Sequence, residues 1–210
     1  MRFKVEEIKK RLAECMRSLH ARGLISGAGG NASFRVGEYE MLITPSGVYK
    51  GRLTERDIVR MTLDGALVEG HNNPSSEWRF HAEIYKKRRD VNAIVHAHSP
   101  YTTGLAISSN RIEPVTPEVA LIASEVEIVG YKCPGTEELS RLIGERIIRK
   151  RALVLQNHGV VAVGRELEDA LAVIEILEEA SITTFVAKLT WGVKVIPEDE
   201  IEVMRRVYKR

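Results

Sequence analysis

Cysteine is scarce in this chain. Cys15 and Cys133 are the only two in 210 residues. Their spacing suits no metal, which removes both a disulfide framework and a thiolate site and fits a reducing cytoplasm. An excess of charge of one sign is missing too. Lysine and arginine number 31 against 29 acidic residues, and a net +2 gives no general attraction for nucleic acid or an anionic membrane. Any phosphate binding therefore has to be local. No apolar run approaches the roughly 18 residues of a membrane span, and Met1 to Lys10 alternates charge with isolated apolar side chains, so a soluble, unprocessed chain is expected. Internal repeats, low-complexity segments and linkers are also lacking. What is present is 44% hydrophobic and 29% charged, enough for an ordinary core in a single domain over residues 1–210.

Hydrophobic spacing then predicts the elements. Val5, Ile8, Leu12, Met16 and Leu19 recur at three- and four-residue steps, the period of a helix with one buried face, and Gly23 is a suitable stop. After the glycine-dense turn Leu24 to Asn31, Ala32 to Val36 and Met41 to Thr44 read as a hairpin. Thr54 with Asp57 resembles an N-cap before a short helix, and Asp64-Gly65 is a tight turn between Val59–Leu63 and Ala66–Glu69. Pro74-Ser75-Ser76 offers hydroxyl caps to a helix from about Glu77 to Lys87, with Trp78, Ala82 and Tyr85 facing inward. Val91 to His98 reads as a buried strand, Pro117 to Ser124 as a short helix, Val126 to Val129 as a strand and Thr136 to Arg149 as an amphipathic helix. Ala152 to Gln156 and Val160 to Val163 flank the turn Asn157-His158-Gly159, and a long helix follows from about Glu168 to Leu189. This order of helices and mostly antiparallel strands predicts an α/β fold, a three-layer α/β/α arrangement with a central, largely antiparallel mixed sheet.

His96 and His98 stand two apart in a strand, so both imidazoles leave the same face, with Cα atoms roughly 6.5 Å apart. A catalytic zinc site has three protein ligands and an open position, and His158, held in a turn between two apolar strands, is the best third ligand. A lone histidine-x-histidine is more often a core or solvent-facing pair; the third histidine turns the balance toward a metal. Glu77 starts a helix, where the positive helix end favours its ionised form. His81 shares its helical face but reads as a packed or solvated side chain, as do His20 and His71, and all three are left out of the metal set. Three segments suit a phosphate: Gly27-Ala28-Gly29-Gly30-Asn31, Thr44-Pro45-Ser46-Gly47 and Pro74-Ser75-Ser76. The first lacks the lysine of GxxxxGK[ST] and opens a strand, so it is not a nucleotide P-loop.

In order, the chain carries GAGGNASFR, MLITPSGV, LVEGHNNPSSEWRFH, VNAIVHAHSP and LVLQNHGVVAVG. Over nearly its whole length it resembles the class II aldolase/adducin family. The resemblance implies a homotetramer with active sites between subunits and a divalent metal, zinc or another such as cobalt or manganese, on His96, His98 and His158. Glu77 would ligate the resting metal and act as the base. Gly30, Asn31, Ser46, Gly47, Ser75 and Ser76 would form the phosphate pocket. The implied reaction is reversible cleavage of a ketose 1-phosphate, L-fuculose 1-phosphate foremost, to dihydroxyacetone phosphate and L-lactaldehyde through a metal-stabilised enediolate. No tyrosine stands near Pro117-Glu118, where the family's proton donor would fall; Tyr208 in the C-terminal tail is the other tyrosine to consider. The rivals are a methylthioribulose-1-phosphate dehydratase or pentulose-phosphate 4-epimerase on the same scaffold, and a non-catalytic adducin-like interaction module.

Overall fold

The computed structural model describes residues 2–109 and 111–208. Eight strands form one sheet in the order β4-β3-β2-β1-β5-β8-β7-β6. They are β1 (Asn31–Arg35), β2 (Glu40–Ile43), β3 (Val59–Thr62), β4 (Leu67–Glu69), β5 (Ala93–Ala97), β6 (Val126–Val129), β7 (Ala152–Leu155) and β8 (Gly159–Gly164). Neighbours are antiparallel except β6 and β7. The two faces bury separate apolar clusters. Leu12, Met16, Val95, Ala97 and Ile174 belong to one, beneath α1 (Arg2–Ala21) and α6 (Leu167–Lys188). Ile43, Phe80, Ile94, Ile143 and Val161 belong to the other, beneath α2 (Trp78–Lys87) and α5 (Glu137–Arg146). Successive side chains of β5 point to opposite faces, so Ile94 and Val95 serve different clusters. The result is a three-layer α/β/α fold.

Most predicted elements are present, and the departures have local causes. Gly23 ends α1 with φ 71°, and Leu24 N–H reaches back to the Leu19 carbonyl at 2.9 Å, the left-handed stop a glycine permits. The expected short helix after Thr54 is one 3-10 turn, Glu55–Asp57, in which the Asp57 carboxylate accepts from the Thr54 backbone and hydroxyl. Both Pro117–Ser124 and Thr136–Arg149 are shorter α-helices, α4 (Pro117–Ile122) and α5, each completed by a 3-10 turn. Two helices were not anticipated: α3 (Pro100–Ser108) and, within the supposed tail, α7 (Glu198–Tyr208). No helix among the described residues is long and apolar enough to cross a membrane.

Candidate metal centre

Three elements deliver the cluster to one end of the sheet. His96 lies near the end of β5, opposite Asn31 of β1 on one side and Val161 of β8 on the other. His98 follows the strand's end, tied by its N–H to the Leu24 carbonyl at 3.0 Å. His158 occupies the turn between β7 and β8, which Asn157 makes possible with φ 59°, a left-handed conformation asparagine tolerates better than most side chains. Gly159 then passes so close to β5 that a Cβ would lie 2.2 Å from the Ala97 carbonyl oxygen. Glu77 is the N-cap residue of α2 rather than its first helical residue, its backbone at φ -98° and ψ 11° lying outside the helical range, and Trp78 N–H is bonded to the Ser75 carbonyl. The serines do not cap α2 as predicted; the Ser75 hydroxyl accepts from Glu77 N–H at 3.3 Å.

Ligand atoms of Glu77, His96, His98 and His158 all lie within 4.8 Å of one another. His98 Nε2 faces His96 Nε2 at 3.2 Å, while the Glu77 oxygens stand 3.3 Å from His96 Nε2 and 3.4 Å from His158 Nε2. His96 Nδ1 is 2.9 Å from the Val160 carbonyl, an oxygen that can only accept. Nδ1 therefore carries a ring proton and Nε2 faces the cluster, the outer hydrogen bond typical of a ligating histidine. Buried Glu77 Oε1 and His158 Nδ1 have no hydrogen-bond partner. A carboxylate with one oxygen free beside three imidazole nitrogens is a donor set that fits a divalent metal.

Electrostatics agree with that fit. Burial opposes ionisation of Glu77, but His96, His158 and the Asn31 amide outweigh it and hold the carboxyl at about 2. Burial, reinforced by repulsion from His96, lowers His98 and His158 to about 4. Both are therefore neutral near pH 7, the form that ligates a metal.

Glu77, His98 and His158 form one wall of a cavity of about 330 Å³ whose lining includes all six residues predicted to hold phosphate. Ser46, Gly47 and Ser76 are exposed there, whereas Gly30, Asn31 and Ser75 are buried. Ser46 N–H bonds the Asn73 carbonyl and Ser75 N–H the Thr44 carbonyl, so the two hydroxyl-bearing loops run side by side. The side chain of Asn31 is already engaged, its amide nitrogen 3.0 Å from Glu77 Oε2 and its oxygen 2.6 Å from His81 Nε2. His81 is wholly buried, and its ring nitrogens are not among the four groups that cluster. His20 packs edge-on against Tyr49 and His71 is exposed.

Sequence reasoning missed Lys50. It is buried, donates to the Pro45 carbonyl at 2.6 Å and the Val48 carbonyl at 3.2 Å, and among the described residues is the one lysine or arginine lining the cavity. Nothing in its local pattern distinguishes it from a surface lysine. Tyr208 ends α7 in an exposed position and does not line the cavity.

The family model for the class II aldolase and adducin N-terminal domain matches residues 10–184. The chain belongs to the class II aldolase and adducin family. Among its relatives in that family, an L-fuculose phosphate aldolase of Methanocaldococcus jannaschii is 38% identical over 176 residues, covering 84% of this chain and 94% of that protein. A 3-oxo-tetronate 4-phosphate decarboxylase of Haemophilus influenzae is 35% identical over 178 residues, covering 82% and 84%. A solved structure of an L-fuculose 1-phosphate aldolase superposes with a TM-score of 0.87 at 34% identity, over 97% of each chain.

Proposed function

We propose that this class II aldolase relative is a divalent-metal-dependent lyase, acting as a single domain, that reversibly cleaves a ketose 1-phosphate. Its preferred substrate is L-fuculose 1-phosphate, giving dihydroxyacetone phosphate and L-lactaldehyde. The observation that carries this reading is Glu77 Oε1, a buried carboxylate oxygen with no hydrogen-bond partner beside three imidazoles, at the wall of a cavity rich in hydroxyls and glycines. His96, His98 and His158, with Glu77, would hold the metal. When bound, zinc or a related ion would supply the Lewis acidity that polarises the substrate carbonyl. In the synthetic direction Glu77 Oε1 takes the proton from the carbon next to that carbonyl, so that this carbon can attack the aldehyde. Backbone N–H groups at Gly30 and Gly47, with the hydroxyls of Ser46, Ser75 and Ser76, would receive the phosphate, and Lys50 would add positive charge behind them. Lys50 is held by two carbonyls, so a Schiff base on it is not part of this mechanism. The active form is a cytoplasmic homotetramer.

The deciding experiment is a coupled assay for dihydroxyacetone phosphate release across ketose 1-phosphates, L-fuculose 1-phosphate and methylthioribulose 1-phosphate among them, with and without zinc. Cleavage lost on chelation and restored by metal is expected. Borohydride trapping of a substrate adduct on Lys50 would overturn the metal mechanism. The 35% identical decarboxylase relative supports a second reading, loss of carbon dioxide from a 3-oxo acid phosphate; from a 3-oxo-tetronate 4-phosphate this also leaves dihydroxyacetone phosphate, so that substrate is added to the panel and release of carbon dioxide in place of an aldehyde separates the two readings. Dehydration or epimerisation would release neither.

A further inference from the structure

Beneath Glu77 lies a buried chain of hydrogen bonds that the reaction above does not use. On β1, Asn31 and Ser33 point to the same face; from Glu77 at the N-cap of α2, His81 and Tyr85 follow on the helix at four-residue steps. Two residues of strand advance about 6.7 Å and four of helix about 6 Å, so the two rows mesh along their length. Asn31 accordingly bridges Glu77 and His81, at 3.0 and 2.6 Å, and Ser33 bridges His81 and Tyr85, at 2.7 and 2.8 Å. All five side chains are less than a tenth exposed.

The direction of every proton in this chain follows from Glu77. An ionised carboxylate only accepts, so Asn31 must present its amide nitrogen to Oε2 and its carbonyl oxygen to His81. That oxygen also only accepts, so His81 Nε2 carries a proton. His81 has no exposed surface, its ring stacks on Phe80 at 4.4 Å, and burial keeps it neutral, so Nδ1 is bare and accepts from the Ser33 hydroxyl. Ser33 Oγ is then left to accept from Tyr85, whose hydroxyl also lies 3.1 Å from the Asn92 carbonyl. One oxygen of Glu77 is thereby committed to Asn31, and the other, Oε1, is left without a partner.

We propose that His81 is a positioning residue for the base: through its Nε2–H tautomer it locks the Asn31 amide, which pins Glu77 Oε2 and leaves Oε1 as the oxygen that takes the substrate proton. The proposal rests on Glu77 being the base. Without a donor at His81, the Asn31 amide is free to turn over, bringing its oxygen against the carboxylate.

Long-range proton–nitrogen NMR of the histidine-labelled full chain reads the tautomer directly. A protonated Nε2 and bare Nδ1 on His81 are expected; an Nδ1–H tautomer, or averaging between the two, overturns the proposal. In parallel, the metal-loaded wild type, His81→Phe and His81→Gln are compared for solvent deuterium exchange into dihydroxyacetone phosphate without aldehyde, and for metal content. His81→Phe should keep its metal and bind donor with little change in KM, but exchange about 10–100-fold more slowly. His81→Gln, which keeps an N–H near the Nε2 position, should recover most of that loss. Equal exchange in wild type and His81→Phe, with metal bound in both, or a His81→Gln as slow as His81→Phe, overturns the relay. No exchange in metal-loaded wild type would instead sink the assignment of Glu77 as base, while the tautomer still decides the hydrogen-bond chain.

Discussion

Glu77 and the imidazoles around it have opposite reasons for their ionisation, and both can be tested one residue at a time. The carboxyl is held at about 2 against its burial because His96, His158 and Asn31 favour the charged form. Glu77→Gln preserves shape but removes the base. It should retain bound metal while kcat falls about 10²–10⁴-fold, the usual range for a general base; activity within tenfold of wild type would reassign that role. Burial lowers His81 to about 3 and His98 and His158 to about 4 from an ordinary 6.5. In metal-free protein, unfolded imidazoles take up protons below about pH 6.5 while the folded ones stay neutral, so the unfolded state gains as pH falls. Stability is therefore fully present above that pH and declines through the window from 6.5 toward 4. Glu77 adds its own loss only below 4.5. His81, with no exposed surface, contributes up to about 1.4 kcal/mol per pH unit in this window. Urea denaturation of the metal-free chain at pH 7 and pH 5 should show the decline, with a shallower slope for His81→Gln; equal stability at both pH values would contradict it. The histidine triad and Glu77 were legible because strand period, turn and helix start each left a mark in the sequence. Lys50 and the engagement of Asn31 were not, since both depend on what lies across the sheet or loop rather than along the chain.

At the scale of elements, the helix directly after His98 owes its start to a distant residue. Ser99, the N-cap of α3, makes no capping bond, and its buried hydroxyl is unpaired. Glu178 of α6 replaces it, accepting from Tyr101 N–H at 3.0 Å, Thr102 N–H at 2.8 Å and the Thr102 hydroxyl at 2.7 Å. A carboxylate at a helix N-terminus is favoured by the dipole as well as by these bonds. Glu178→Ala leaves two buried donors of Thr102 and the part-buried Tyr101 N–H unpaired and should cost roughly 2–4 kcal/mol of unfolding free energy, measured by chemical denaturation; a change under about 0.5 kcal/mol would mean water substitutes fully. The same dependence explains why α3 escaped the sequence reading. Pro100 to Ser108 has little helical periodicity and includes Gly104, and its cap lies 77 residues away. α7 was hidden for a related reason: it buries Ile201 but leaves Val203 and Val207 exposed, so its pattern resembles a charged tail. By contrast α1, α5 and the hairpins carried periodicities strong enough to be read without partners. Their ends were set by local chemistry such as Gly23 and Asp64-Gly65.

Across the whole molecule, the cluster joins parts of the chain that are far apart in sequence. Glu77 precedes α2 on one face of the sheet, His96 and His98 end its central strand, and His158 caps the β7–β8 turn. An ion bound by all four would tie a helix to two adjoining parts of the sheet in the folded state only, because the unfolded chain cannot hold these groups together. Ligand binding of that kind stabilises by mass action, about 2.7 kcal/mol at one hundred times the dissociation constant. For a domain of this size that is a rise in Tm of about 5–10 °C. Chelator-treated protein should therefore melt lower than untreated protein. Titrating zinc back should raise Tm steadily with the logarithm of its concentration, whether or not substrate is present. His158→Ala separates this effect from nonspecific binding. It removes one donor without disturbing the sheet register, so its metal-free Tm should stay near that of the metal-free wild type while the zinc-dependent rise largely disappears. A wild-type Tm unmoved by zinc, or an undiminished rise in His158→Ala, would mean that the four side chains meet for packing alone.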